Sequence, residues 1–186
     1  MQSLKADRIH VFGASGSGTS TLGAALAARF GYTHLDVDEF LWEPTDPSFT
    51  TLREAGARRR MLAAALDAHP RWVLSGSLCG WGDVFIPRFQ LVVFIYVPHE
   101  IRMARIIARE RERFGAEAIA PAGARYDQHR AFIEWAAAYD TADETIRSLK
   151  LHERWLATLA CTTIRIHGDL SLAEELARLE EFVGAT

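Results

Sequence analysis

One stretch near the start limits what this chain can become: RIHVFGASGSGTSTLGAALAARF, residues 8–30. Five residues with strand-forming character, 8–12, run straight into a loop holding Gly13, Gly16 and Gly18. Apolar residues at helical spacing follow and stop at Gly31, a good residue just past a helix end. A strand that turns tightly into a helix through glycines leaves successive backbone N–H groups pointing at one spot. The helix N-terminus adds its positive dipole end there. Such a nest attracts an anion, and phosphate above all.

The spacing G-x-x-x-x-G-[K]-[ST] is met by Gly13, Gly18 and Ser20, but Thr19 stands in the lysine slot. The loop predicted to cradle donor phosphates is therefore Gly13, Ala14, Ser15, Gly16, Ser17, Gly18, Thr19, Ser20 and Thr21. Ser20 falls where a hydroxyl would bind Mg²⁺. Threonine offers phosphate a hydrogen bond and no charge. A lysine about 4 Å from a phosphate oxygen would contribute a few kcal/mol at an effective dielectric near 20, so a cation is wanted from elsewhere.

The rest of the chain alternates apolar runs with helical patterns. Strands are predicted at 32–37, 71–76, 90–97 and 162–168. Helices are predicted from a Thr51–Glu54 capping box to about 68, from Pro98 to about 114, at about 128–139 and 142–158, and after a Ser171–Glu174 capping box. The segment 115–128 reads as a mobile loop. Strand–helix alternation over 186 residues argues for a single α/β domain with a parallel sheet covered on both faces. A net charge of −3 gives no bulk attraction to nucleic acid or a membrane surface. No apolar run reaches the roughly 18 residues of a spanning helix. Cys79 and Cys161 lie far apart, without metal spacing, and the expectation is a cytoplasmic protein with reduced thiols.

Arg102, Arg105, Arg109 and Arg113 are spaced 3, 4 and 4 along PHEIRMARIIARERERFG. They share an arc of roughly 80° on one helix face. Such a row is either a solvated basic face or a phosphate clamp, with Arg suited to bidentate contact. Asp36 and Asp38, at the end of the second strand, lie where ligands of open α/β sheets gather. Two apart on extended chain, they would share one face. One would hold Mg²⁺ and the other orient or deprotonate an acceptor hydroxyl; turn-stabilising Asx residues are the plain alternative. Arg53, Arg58, Arg59 and Arg60 crowd the next helical segment, and Arg58 is the one taken as an acceptor contact, with Gly76 and Ser77 at the end of strand three. Asp83 is a spare carboxylate near the site. Trp42 and Trp81 are candidates for stacking on a base, whereas Trp72 reads as core.

GASGSGTSTLGAALA and this order of elements resemble the nucleoside-monophosphate-kinase group: adenylate and cytidylate kinases with the related shikimate and gluconate kinases. The resemblance covers essentially the whole chain, and Thr19 does not break it. It implies a P-loop fold with a five-stranded parallel sheet in the order 2-3-1-4-5, an acceptor-binding segment at about 40–70 and a lid at about 109–130. It implies ATP and Mg²⁺, a small-molecule acceptor, and a monomer or homodimer. It further implies that Arg105, Arg109 and Arg113, with Arg125 and Arg130 nearby, close on phosphates, and that 167–176 lies against the adenine. In the kinases of this group that phosphorylate monophosphates, strand three ends in Asp-Gly. Here Ser75-Gly76 stands there instead, and this end resembles the glycine-rich one of shikimate kinase. The acceptor is then either a nucleoside monophosphate or a hydroxylated metabolite. A non-catalytic nucleotide-binding module is the competing reading.

Overall fold

The computed structural model describes residues 5–46 and 48–184. Five strands form one parallel sheet: β1 (Arg8–Gly13), β2 (Thr33–Asp36), β3 (Trp72–Ser75), β4 (Leu91–Tyr96) and β5 (Thr162–His167). Their order is β2-β3-β1-β4-β5, as the resemblance implies. The glycine loop thus leaves the central strand, with the ends of β3 and β4 on either side.

Period-two side chains divide the core between the two faces. Ile9 and Val11 of β1 join Leu22 and Leu26 of α1 (Thr19–Phe30) and Leu176 and Leu179 of α8 (Leu172–Leu179). Phe12 faces the other way, toward Leu62 and Leu66 of α3 (Ala55–Ala68) and Trp155 and Leu156 of α7 (Leu149–Leu156). His10 shares that second face, stacked on Phe12 and Phe89. Burial on both faces explains why β4 is apolar at nearly every position. Trp72 is in the core, 1% exposed.

Several boundaries differ from the sequence expectation. Helix α3 begins at Ala55, and Glu54 rather than Thr51 caps it, accepting from the N–H groups of Gly56 and Ala57. Residues before it stay extended because Leu52 bridges Trp42. A short helix, α2 (Val37–Leu41), follows β2 directly. The segment expected as one loop contains α5 (Ala116–Ile119) and leads into α6 (Tyr126–Ala137). Of 142–158 only α7 is helical, opened by Ser148, whose hydroxyl accepts from Leu151 N–H. The Ser171–Glu174 capping box forms on both sides. Helix α4 (His99–Phe114) starts behind Pro98 and carries the arginine row over the strand ends.

Candidate functional site

A cleft of about 1590 Å³ opens at the carboxyl ends of the strands. Gly13, Ala14, Ser15, Gly16, Gly18, Thr19, Ser20 and Thr21 line one end of it. Ser17 does not: it is buried, and its hydroxyl donates to Ala14 O at 2.7 Å, bracing the loop from behind. Gly16 and Gly18 take φ of +79° and +91°, which side chains adopt at a cost. A Cβ on Gly16 would also lie 2.7 Å from Arg102 O. The loop is thus held against α4 by the absence of a side chain.

Asp36 ends β2 and caps α2, accepting from Asp38 N–H at 3.0 Å. The chain turns helical there, so the face-sharing argument from extended spacing does not apply. Both carboxylates still line the cleft, because the turn itself points them inward. Ser20 Oγ donates to Asp36 Oδ2 at 2.6 Å, and Ser75 Oγ donates to the same oxygen at 3.1 Å. A hydroxyl and a carboxylate side by side at the mouth of an amide nest are hard oxygen donors that fit Mg²⁺. Among the described residues no group of three or more His, Cys, Asp or Glu could enclose a metal unaided. Asp38 opens onto cleft water but has protein walls around it. That burial raises its pKa, the Asp36 charge adds to the rise, and Arg147 and Arg109 oppose it.

The arginine row splits. Arg102 is 0% exposed, donates through Nε to Val97 O at 3.0 Å and pairs with Asp140. It is a structural residue, because the first turn of α4 lies against the Tyr139–Asp140 corner. Arg105, Arg109 and Arg113 line the cleft. Arg105 comes within 3.5 Å of Gly16 O and pairs with Asp169 of the 167–176 segment. Arg113 packs over Phe49, 5.0 Å from the ring centroid, and Arg125 donates to Ser48 O at 3.4 Å. These contacts roof the cleft from both sides, with Phe49 at a φ of +64°. Arg130 stays on the surface beside Asp127 and Glu134.

Gly76 and Ser77 form the cleft floor after β3. Gly76 has φ +103°, and a Cβ there would meet Val37 Cβ at 2.8 Å. Trp42 lines the cleft, but Trp81 does not: it is 6% exposed and carries the Arg58 guanidinium on its ring. Arg58 is therefore not brought to the cleft, and Arg59 is spent on Trp81 O. From that segment Arg53 does line the cleft. It is occupied by Phe40 O, Trp42 O and the Glu43 carboxylate. Asp83 turns away to accept from Trp155 Nε1.

Sequence reading missed Arg147. This guanidinium lines the cleft floor, half-buried, 5.3 Å from the Trp135 ring centroid and close enough to Asp38 to oppose its rise in pKa. Burial lowers the Arg147 pKa, and Asp38 counters that. Among the described residues it has no hydrogen bond or ion pair. Its position, just ahead of the Ser148 cap, is the only signal in the sequence.

No family model matches the chain. It is 44% identical over 177 residues to "Uncharacterized protein YqaC" of Bacillus subtilis (strain 168), covering 95% of this chain and 97% of that one. It is 28% identical over 119 residues to a cytidylate kinase of Methanocorpusculum labreanum, 55% of this chain and 63% of that one. The structure of shikimate kinase from Acinetobacter baumannii, in complex with shikimate, superposes with a TM-score of 0.54 at 19% identity, over 95% of this chain and 90% of that one. The fold is that of the P-loop kinases.

Proposed function

The chain belongs to one family with YqaC of Bacillus subtilis, and for it we propose ATP-dependent transfer of a phosphoryl group to a hydroxyl of a small acceptor. The carrying observation is that the glycine loop, the Ser20–Asp36 pair and the Asp38 carboxylate line one cleft. Amides of 13–21 bind the donor phosphates, with Thr19 giving a hydroxyl in place of a charge. Ser20 and Asp36 would hold Mg²⁺, which when bound would neutralise phosphate charge. Arg105 and Arg109 supply the cationic field that a loop lysine would give. Asp38, its pKa raised, takes the proton of the acceptor hydroxyl. That oxygen bonds to the γ-phosphorus, the bond from phosphorus to the β–γ bridging oxygen breaks, and ADP leaves.

A hydroxylated, anionic metabolite fits better than a nucleoside monophosphate. Arg58 and Arg59 are taken up at Trp81 and Arg53 by backbone carbonyls and Glu43, whereas Arg147 waits on the floor beside Asp38. The rival reading, a nucleotide-binding module without turnover, draws on Thr19 and on the Arg105–Asp169 pair, which occupies the nearest cation.

Radiolabelled ATP with Mg²⁺, offered to hydroxy acids, sugars and nucleoside monophosphates, separates the two. Label should pass to a hydroxylated anion, and Asp38→Asn should slow transfer by about 10²–10⁴-fold. Tight ATP binding with no transfer to any acceptor would decide for the module.

A further inference from the structure

Behind the floor lies a buried chain of three side chains that the reaction above does not use. Ser77 Oγ is 3.0 Å from His152 Nε2, and His152 Nδ1 is 2.9 Å from Tyr139 Oη. All three residues are at most 3% exposed. His152 is held neutral: burial, with the Arg147 charge adding to it, lowers its pKa to about 3. A neutral imidazole has one N–H and one lone pair, so the chain runs in a single direction.

Two directions exist. If Ser77 donated to Nε2, Nδ1–H would donate to Tyr139 Oη, and the phenolic proton would need another acceptor. Among the described residues His152 is the one hydrogen-bond partner of that hydroxyl, and a buried donor left unpaired is costly. In the other direction Tyr139 donates to Nδ1 and Nε2–H donates to Ser77. Every polar atom of the pair is then satisfied. Ser77 Oγ also receives Cys79 N–H at 3.4 Å. With two donors pointing at it, the hydroxyl keeps its own proton to give: to the Cys79 sulfur beside it while the cleft is empty, and to a substrate oxygen that enters.

We infer that Tyr139 and His152 are positioning residues that make Ser77 a committed hydrogen-bond donor, so the floor selects a substrate oxygen that can only accept, such as a carboxylate or phosphate oxygen. A substrate hydroxyl could adapt to either polarity, but an accept-only oxygen matches Ser77 and Arg147 together. The inference rests on the kinase reading only in calling the ligand a phosphoryl acceptor.

The test is NMR of protein with ¹⁵N-labelled histidine, saturated with ADP so that the glycine loop is filled, and titrated with malonate as a carboxylate probe and sorbitol as a neutral one. His152 should be the Nε2–H tautomer from pH 5 to 8. Malonate should move its Nε2 proton, since donation by Ser77 polarises the bond behind it, and sorbitol should not. Ser77→Ala should weaken malonate by at least about tenfold while leaving ADP affinity unchanged. Tyr139→Phe should weaken it less, and Ser77→Thr should restore it. An Nδ1–H tautomer in the wild-type protein would overturn the inference whether or not any variant folds, as would malonate binding indifferent to Ser77. Failure to find a phosphorylated product would remove the kinase reading and leave this assignment standing.

Discussion

Arg102 and Arg109 sit two turns apart on one face of α4, and they lead opposite lives. Arg102 is buried, with its guanidinium on Asp140, Val97 O and the Tyr139 ring. Arg109 lines the cleft and, among the described residues, has no hydrogen bond or ion pair. Periodicity assigns a residue to a face, but not to a depth along that face. The start of α4 packs into the body of the domain, whereas its later turns overhang the strand ends. The difference teaches that a basic row can be part structural pair and part ligand clamp, and substitution should separate the two. Arg102→Ala strands the Asp140 carboxylate and should cost about 3–5 kcal/mol in urea unfolding. Unchanged stability would mean that the buried pair contributes nothing.

The buried end can be sharpened by a group that solves the same problem without a counter-charge. His10 is 0% exposed, its Nδ1–H donates to Leu74 O at 3.0 Å, and its Nε2 has no partner among the described residues. Burial lowers its pKa to about 4. Above pH 6.5 the folded and unfolded states are both neutral here, and the fold has its full stability. Between pH 6.5 and 4 the unfolded chain takes up a proton that the folded one refuses, so stability falls with falling pH. Below that both are protonated and the loss levels off. At about 1.4 kcal/mol per pKa unit the loss approaches about 3.5 kcal/mol, and His152 adds in the same direction. His10→Phe, flanked by Phe12 and Phe89, should flatten the decline in Tm between pH 7 and 4.5. An equally steep decline in the variant would assign the acid sensitivity elsewhere.

These two cases also mark what a sequence can tell. The strands and the glycine loop were legible because local rules write them: apolar runs, glycines between strand and helix, and a capping box at Ser171; the sheet order followed only from the resemblance that those motifs carry. The split within the arginine row was not, since it depends on Asp140 folding back 38 residues later. Arg58 looked like a ligand contact for want of knowing that Trp81 lies beneath it. Arg147 was invisible for the same reason reversed, because only the return of the chain before α7 brings it beside Asp38. The floor is assembled from β3, α2 and the approach to α7, and no spacing rule spans that distance.

At the exposed end, Arg109→Ala should leave the unfolding midpoint unchanged and cut phosphoryl transfer by at least about tenfold, or 1.4 kcal/mol. Equal activity would make the whole outer row a solvated face.

The smallest effect sharpens the comparison most. Thr19→Lys puts a cation in the loop position where arginines from α4 are argued to substitute. Thr19 opens the first turn of α1 and lines the cleft, so a lysine can be accommodated. A loop without any nearby cation would gain a few kcal/mol from one more charge about 4 Å from a phosphate oxygen, but with Arg105 and Arg109 already lining the same cleft the added gain falls to about 1 kcal/mol. The neighbouring Arg105 repels it and reduces that gain. ATP affinity, measured calorimetrically, should therefore rise only a few-fold, with turnover changed by no more than that. A gain of orders of magnitude would mean that the loop had lacked its charge all along, and that Arg105 and Arg109 had not been supplying it.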